Sequence, residues 1–532
     1  MNGAELLVKT LEDNKVNYIF GVPGDIQGEY LLFKALDQSN INFVYAGNEQ
    51  SGVMMADGFA RVKGDIGVCF STLGPGATNL VTGLANAMQD NVPILALSGQ
   101  LPYSKQFIFS HQYVDTVRLF DSRDLTMSAS QVGSAQSMHR DVNRAIVEAL
   151  SGPRGPVHVT IPSDVLTDNA ESYPEVTINE EVIYRDDVQI SRLEGLLKEN
   201  NSAVAIVGPG VARAGASSEL IQFLERTNIP AYTTFHGKGT MPNNHALNIG
   251  VLSRHSKVAK KVLNEKDIIL TIGYGPEEGV TPEMWQEAKH VVHINASEPR
   301  GVHIYNPKLE VIGDLRNVLS KIGADNQLRM TNQKLDEMRL VVEMPDNIDE
   351  MFPYHPVQVV RILNETLNSD SLVFSDVGLH KQALGLYCDK QTYFSNGLSA
   401  MGYAIPAAVG ACFAAPNKQV VAVTGDGGFQ MGNDRSLLTA KEYGHSPIII
   451  VMNDGALGMV ESRQLTALGT THYARFKENP NFKRIAEAYG CKGYRIEESG
   501  QLESVLKDSL NHDKPVVIDV PIQAYHNVKM MK

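Results

Sequence analysis

A chain of 532 residues holds about three domains of ordinary size, which excludes a single small binding module. With 43% hydrophobic and 20% charged residues, it has the composition of a globular protein and not of a disordered one. Sixty acidic residues against 47 basic ones give a net charge of −13, which excludes a broad electrostatic footprint for nucleic acid or an anionic membrane.

The first segment, 3–14, has helical periodicity and carries Glu5, Lys9, Glu12 and Asp13, which a secretory signal core would not hold. All apolar runs fall well short of the ~20 residues that cross a bilayer. Cys69, Cys388, Cys412 and Cys491 stand far apart with no CxxC spacing, so neither a disulfide framework nor a thiolate zinc site is indicated. The expectation is a soluble, cytoplasmic protein with no nucleic-acid or membrane partner.

Short β-branched runs follow at 18–20, 67–71, 93–98, 156–161, 204–207, 268–272, 420–424 and 448–452, alternating with apolar-periodic helices. That alternation predicts α/β layers with mostly parallel sheets, and runs so uniformly apolar are expected to be covered on both faces. Two charged, proline-containing stretches, 165–195 and 325–355, read as connectors between three units. The outer two units share an order of strand, glycine turn, helix, proline and buried strand (68–99 and 420–453). A duplication explains this, although the same order recurs by chance in α/β proteins.

The stretch GDGGFQMGNDRSLLTAKEYGHSPIIIVMNDG, 425–455, carries the most chemistry. A glycine-rich turn after a buried strand frees backbone N–H groups at a helix start, which is a ready anion site. Asp426 inside that turn repels phosphate by itself. It makes sense if a hard divalent cation such as Mg²⁺ lies between them, with the Asn453 side chain and the Gly455 backbone carbonyl as further oxygens. Either piece alone is more often just a turn. GxGxxG is not matched here, and GxxxxGK[ST] is nowhere in the chain. Gly-Asp-Gly followed by Asn 27 residues after the Asp, across one helix and one strand, resembles the thiamine diphosphate motif.

Four further stretches carry that likeness: FGVPG at 20–24, NEQSGVMMADGFARVKG at 48–64, STLGPGATNLVTGLANA at 71–87 and SNGLSAMGYAIPAAVGA at 395–411. They resemble their counterparts in the acetolactate synthase family, in the expected order along the whole chain. The resemblance implies an α/β fold of three doubly wound parallel-sheet domains of the thiamine diphosphate-enzyme type. These are a pyrimidine-binding domain over 1–175, a central domain over 185–325 and a diphosphate-binding domain over 345–532. It also implies thiamine diphosphate and Mg²⁺ as cofactors. The coenzyme would sit between the first domain of one subunit and the third of another, hence a homodimer or homotetramer.

The resemblance assigns Glu49 to the aminopyrimidine, where a carboxyl stabilises the imino tautomer whose nitrogen removes the thiazolium C2 proton. The plainer reading of Glu49 is a solvated residue at a helix start. Met401 takes the place of the apolar wedge under the bent coenzyme, or is simply a core methionine. Ser399 is to offer its carbonyl to the pyrimidine amino group. Gly378 and His380 are to meet the diphosphate, with a surface or capping role as the alternative for His380. Gln112 is to face the reacting carbon from the neighbouring subunit, with His111 beside it as a proton carrier or a merely packed side chain. Pro23, Gly24, Gly425, Gly427, Gly428, Ala456 and Leu457 complete the cofactor-binding set. Asp426, Asn453 and Gly455 hold the metal.

Departures from the family pattern bear on cofactor and substrate. TIGYGPEEGVTPEMWQ, 271–286, resembles the pattern of the flavin-free catabolic acetolactate synthases and of carboxyethylarginine synthase. The Arg-Phe-Asp-Asp-Arg segment of the biosynthetic enzymes is absent, so FAD is not expected. VGPGVARAG, 207–215, is a lone glycine-rich turn and a weak nucleotide signal. Asn48 stands where a histidine commonly precedes the catalytic glutamate, and LFDSRDLTMSAS, 119–130, replaces a Thr-Lys-Tyr segment. NDRSLLTA, 433–440, has one extra residue, expected to alter a loop and not the metal ligands. The implied reaction is decarboxylation of a 2-oxo acid, pyruvate by default, with ligation of the acyl carbanion equivalent to a second carbonyl. Simple aldehyde release and ligation to an unusual acceptor are the alternatives.

Overall fold

The computed structural model describes residues 1–524 except 109, 171–186, 254–255, 276–277, 279–281, 300–304, 324–331, 341–347 and 349–350. The domain boundaries expected near 175 and 345 lie outside the described residues. Three units follow in chain order.

The first unit holds β1 (Tyr18–Gly21), β2 (Asn42–Tyr45), β3 (Gly67–Ser71), β4 (Ile94–Gln100), β5 (Ala129–Gln131) and β6 (Val157–Pro162). The second holds β7 (Ala203–Val207), β8 (Ala231–Thr233), β9 (Asn248–Val251), β10 (Ile268–Ile272), β11 (His290–Asn295) and β12 (Leu309–Ile312). The third holds β13 (Leu372–Ser375), β14 (Gln391–Phe394), β15 (Val420–Gly425), β16 (Ile448–Asn453), β17 (Lys492–Arg495) and β18 (Val516–Pro521).

Each set forms one six-stranded, wholly parallel sheet. Every residue of β3, β4, β6, β7 and β10 is buried, as continuous Val, Ile and Leu runs between two helical layers require. The orders β2-β1-β3-β4-β6-β5 and β14-β13-β15-β16-β18-β17 are the same path drawn twice. This shared topology is what a duplication of the outer units would leave. The central order, β12-β11-β10-β7-β8-β9, is that of the doubly wound dinucleotide-binding sheet.

The connector expected over 165–195 is shorter than its polarity suggested. A helix begins at Asp187 and runs to Glu199, because Ile190, Leu193 and Leu197 form an apolar stripe that packs on the central core. In the 325–355 stretch, Asn332–Met338 is helical.

The outer units meet through two helices, Glu49–Lys63 and Ala404–Ala414. The second is small and apolar all round, as a helix buried between two sheets must be. Arg61, from the ADGFAR stretch, binds Asp57 at 2.6 Å and Asp90 at 2.7 Å, and also donates to the carbonyl of Phe394 across the junction. Burial opposes a charged Asp90, but the Arg61 guanidinium prevails and holds that carboxyl down at about 2. Tyr403 donates its hydroxyl to Asp57 from the other side, so a buried, fully partnered network fixes the two units together.

Candidate active site

The third sheet delivers its chemistry at the carboxyl ends of β13, β15 and β16, where open α/β sheets place ligands. The chain leaves β15 into the short helix Asp426–Phe429, and the Asp426 side chain is buried beneath it. Its Oδ1 accepts from Gly427 N–H at 2.9 Å. Its Oδ2 accepts from Gly455 N–H at 2.9 Å and from the Asn479 amide at 2.8 Å. Burial raises the Asp426 carboxyl above its ordinary value against these hydrogen bonds. Asn453, at the end of β16, is oriented by donating to Asp519 at 2.9 Å, which turns its Oδ1 toward the same Asn479 amide at 2.7 Å. Beside them, burial followed by Asp426 and Glu461 lifts Asp454 to about 7.

Asp426 and Asn453 therefore converge on the same two donors, the Asn479 amide and the Gly455 N–H. Carboxylate, amide oxygen and backbone carbonyl form an oxygen set of the kind a hard divalent cation takes. Among the described residues no three His, Cys, Asp or Glu side chains cluster as a metal centre, and all four cysteines are free and buried.

The turn is roofed by apolar side chains. A carbon added at Gly427 would lie 2.7 Å from Leu457 Cδ2, 3.4 Å from Met401 Cε and 3.5 Å from the Phe476 ring. Met401 and Leu457 thus meet over the glycine turn. Ala456 is buried next to them, and Ser399 adopts a left-handed φ of 57° with its hydroxyl donating to the Asn396 carbonyl.

His380 is buried, which removes the surface role that the sequence left open. Its ring lies beside Gly378 and Gly425. Gly378 has φ 148° and no room for a side chain, since a carbon there would sit 2.7 Å from the imidazole. Burial lowers the imidazole to about 4, and its Nε2 is without a hydrogen-bond partner. Beside the glycine turn that Nε2 can meet a phosphate oxygen only when it carries a proton, which the anion's own charge would favour.

The first sheet contributes a second group. Asn48 caps the helix Glu49–Lys63 by accepting from Ser51 N–H at 2.7 Å, which gives a local reason for an amide at this position. Glu49 is indeed the first helical residue, yet only 8% exposed, so it is not a solvated helix start. Its Oε2 accepts from Asn79 at 2.8 Å, and its Oε1 faces Gly76. Gln112, with φ 59°, lies against Gly74 of the same turn. Gln112 and His111 are both exposed. Pro23 and Gly24 follow β1, and Gly24 packs on Thr72 and Glu29. Glu29 is a carboxyl with no exposed surface, lifted by burial to about 8.

Three polar residues that sequence reading passed over organise these groups. Asp376, at the end of β13, is fully buried and accepts from the N–H groups of Val377 and Gly402 and from the Thr424 hydroxyl, tying the Met401 loop to β15. Burial raises it to about 6. Asn433 accepts from Ser51 at 3.1 Å and donates to the Gly402 carbonyl at 2.9 Å, so the expected extra-residue loop joins the Glu49 helix to the Met401 loop. Asn479 is the third. The 207–215 glycines have a packing role: Gly208 and Gly210 let the loop after β7 touch Gly273 after β10.

Sheets, glycine turn and buried acid define an enzyme of the thiamine pyrophosphate class, and the whole chain matches that class. Family models match residues 1–119 (N-terminal TPP binding domain), 190–322 (central domain) and 376–520 (C-terminal TPP binding domain of thiamine pyrophosphate enzymes). The chain is 31% identical to the acetolactate synthase large subunit of Lactococcus lactis, covering 100% of this chain and 94% of the relative. It is 31% identical to the isozyme 3 large subunit of Escherichia coli, over 100% and 96%. It is 30% identical to a probable acetolactate synthase large subunit of Methanococcus aeolicus, over 100% and 94%. The chain belongs to the acetolactate synthase family of thiamine pyrophosphate-dependent enzymes.

Proposed function

We propose that the protein decarboxylates a 2-oxo acid, pyruvate by default, and ligates the acyl carbanion equivalent to a second carbonyl, using Mg²⁺ to hold the cofactor diphosphate. The observation that carries the reading is the convergence of Asp426 Oδ2 and Asn453 Oδ1 on one point beside the glycine turn. Bound thiamine diphosphate supplies the electron sink that decarboxylation requires.

The chain's own residues do the rest. Asp426, Asn453 and the Gly455 carbonyl hold the cation, while the N–H groups of the Gly425–Gly428 turn, with Gly378 and His380, take the phosphate oxygens. Met401, Leu457 and Ala456 shape the apolar floor and exclude water, and Ser399 presents its carbonyl to the pyrimidine. Pro23 and Gly24 border the ring that Glu49 addresses. Glu49, steadied by Asn79, holds a proton at the ring nitrogen.

Gln112 and His111 serve the reacting carbon of a second subunit. Their exposure supports this, together with Phe107 and Ile108 on the same loop, exposed to 76% and 56%. The assembly is accordingly a homodimer or homotetramer, cytoplasmic and without FAD, with domains over 1–175, 185–325 and 345–532. Among the described residues no helix is long and apolar enough to cross a membrane.

The test is incubation with pyruvate, Mg²⁺ and thiamine diphosphate, with acetolactate resolved from acetaldehyde. Acetolactate is expected; acetaldehyde alone makes the protein a decarboxylase, and neither product removes pyruvate as donor. Glu49→Gln turning over at the wild-type rate would overturn the role of the carboxyl.

A further inference from the structure

One segment reaches all three oxygens of the cation site. Between the helices Gly458–Leu468 and Phe482–Ala488 the chain passes as a strap over the glycine turn. Phe476 N–H donates to the Gly455 carbonyl at 3.0 Å. The Asn479 amide nitrogen donates to Asp426 Oδ2 at 2.8 Å and to Asn453 Oδ1 at 2.7 Å. Gln430 donates to the Asn479 oxygen at 3.0 Å and so fixes which end of the amide faces the two ligands.

The strap is anchored outside these contacts. Leu457 N–H donates to the Ala474 carbonyl at 2.7 Å, and Arg475 forms a two-pronged pair with buried Glu461 at 2.8 and 2.9 Å. At the far end, Asn481 caps the next helix and Phe482 is buried.

An amide N–H donor and a cation make the same demand on an oxygen, so the two cannot share the point between Asp426 and Asn453. Without that amide, Asp426 would keep only the Gly427 and Gly455 N–H groups, and a buried carboxylate that loses one of its three donors is destabilised. We propose that Asn479, with Phe476, is a placeholder for the cation. It satisfies and aligns the metal-binding oxygens while the site is unloaded, and it yields them on loading, with movement confined to 476–480 between fixed anchors. Asn479 is in this sense a positioning residue, and the proposal rests on the cation-dependent reading above.

The placeholder competes with the cation, which gives its removal an unusual sign. Mn²⁺ binding is measured by loss of the free-ion paramagnetic resonance signal, at fixed thiamine diphosphate, for wild type, Asn479→Ala and Gln430→Ala. Asn479→Ala is expected to bind Mn²⁺ about tenfold tighter, the scale of one hydrogen bond to a charged group, and to melt lower than wild type when unloaded. Gln430→Ala should shift both in the same direction by less. A direct ligand or a plain structural strut would weaken binding instead, so equal or weaker affinity in Asn479→Ala overturns the inference.

Wild-type protein alone gives a second reading. Hydrogen–deuterium exchange over 470–481 should rise on loading, and a fall, as for a segment that merely covers its ligand, also overturns the inference. Wild type that takes up neither Mn²⁺ nor thiamine diphosphate overturns the proposed function, and this inference with it.

Discussion

Gly58 and Gly410 occupy reciprocal places on two helices. A side-chain carbon on Gly58 would lie 1.9 Å from the Ala407 carbonyl oxygen, and one on Gly410 would lie 1.9 Å from that of Met55. Each glycine sits three residues after the residue that its counterpart touches. The two helices therefore cross about a local two-fold, and they belong to the two sheets that share one strand order. The two outer units approach closely here, backbone to backbone, and that approach fixes how the Glu49 helix stands relative to the loop carrying Met401.

Alanine at either position gains up to about 1 kcal/mol of helix propensity but drives a methyl into a backbone carbonyl, and overpacking costs about 1–3 kcal/mol or more. We expect Gly58→Ala and Gly410→Ala each to lower the stability of the outer units by about 1–3 kcal/mol in urea unfolding, and the double variant to lose less than the sum, because one separation relieves both clashes. A raised midpoint in either single variant would contradict the reciprocal packing.

Much of this architecture was legible because it rests on periodic apolar pattern. The runs at 67–71 and 268–272 are strands over the same residues, and the Gly-Asp-Gly to Asn spacing brings Asp426 and Asn453 to one point. Buried polar organisers were not legible. Beyond the Val377 N–H, Asp376 is satisfied by Gly402 and Thr424, and Asn433 by Ser51 and Gly402, so little near them in sequence announces their burial. Asn479 follows Asn453 by 26 residues and a whole helix, in a stretch whose local composition reads as an exposed loop. Glu29 sits in the first turn of a helix, where a carboxylate normally faces water, yet the fold closes over it.

Glu29 makes stability depend on pH in a particular direction. Its carboxyl titrates at about 8 in the folded chain against an ordinary 4.5, so the native state holds the proton across that window while the unfolded chain releases it. Stability is therefore present below about pH 4.5 and lost as pH rises toward 8. Glu29→Gln, neutral throughout, should be more stable than wild type by about 2–4 kcal/mol at pH 8 and by little at pH 5. Urea unfolding at both values checks this, and a pH-independent difference would remove the assignment.

Asn433 couples the two site groups through Ser51 and the Gly402 carbonyl. Asn433→Ala strips the buried Gly402 carbonyl and the Ser51 hydroxyl of their partner at about 1–3 kcal/mol. We expect thiamine diphosphate affinity, measured by calorimetry, to fall about tenfold while the sheets stay intact by circular dichroism. Unchanged affinity would show that the Met401 loop is held without it.

His380 makes two demands that one variant can separate. Burial holds the imidazole at about 4 in the folded chain, below its ordinary 6.5, so the unfolded chain binds the proton first as pH falls. Its contribution to stability is thus present above about pH 6.5 and lost as pH falls toward 4, by about 2–3 kcal/mol. His380→Ala should show a shallower acid loss in urea unfolding over that window. The ring also keeps an unpartnered Nε2 beside the glycine turn, which would donate to a phosphate oxygen once the bound anion protonates it. The same variant should therefore bind thiamine diphosphate about tenfold more weakly while its affinity for thiamine changes little, since only the diphosphate reaches that nitrogen. Equal losses for both ligands would mean that His380 supports the pocket by packing alone, and the acid-stability arm would still report its neutral, buried state.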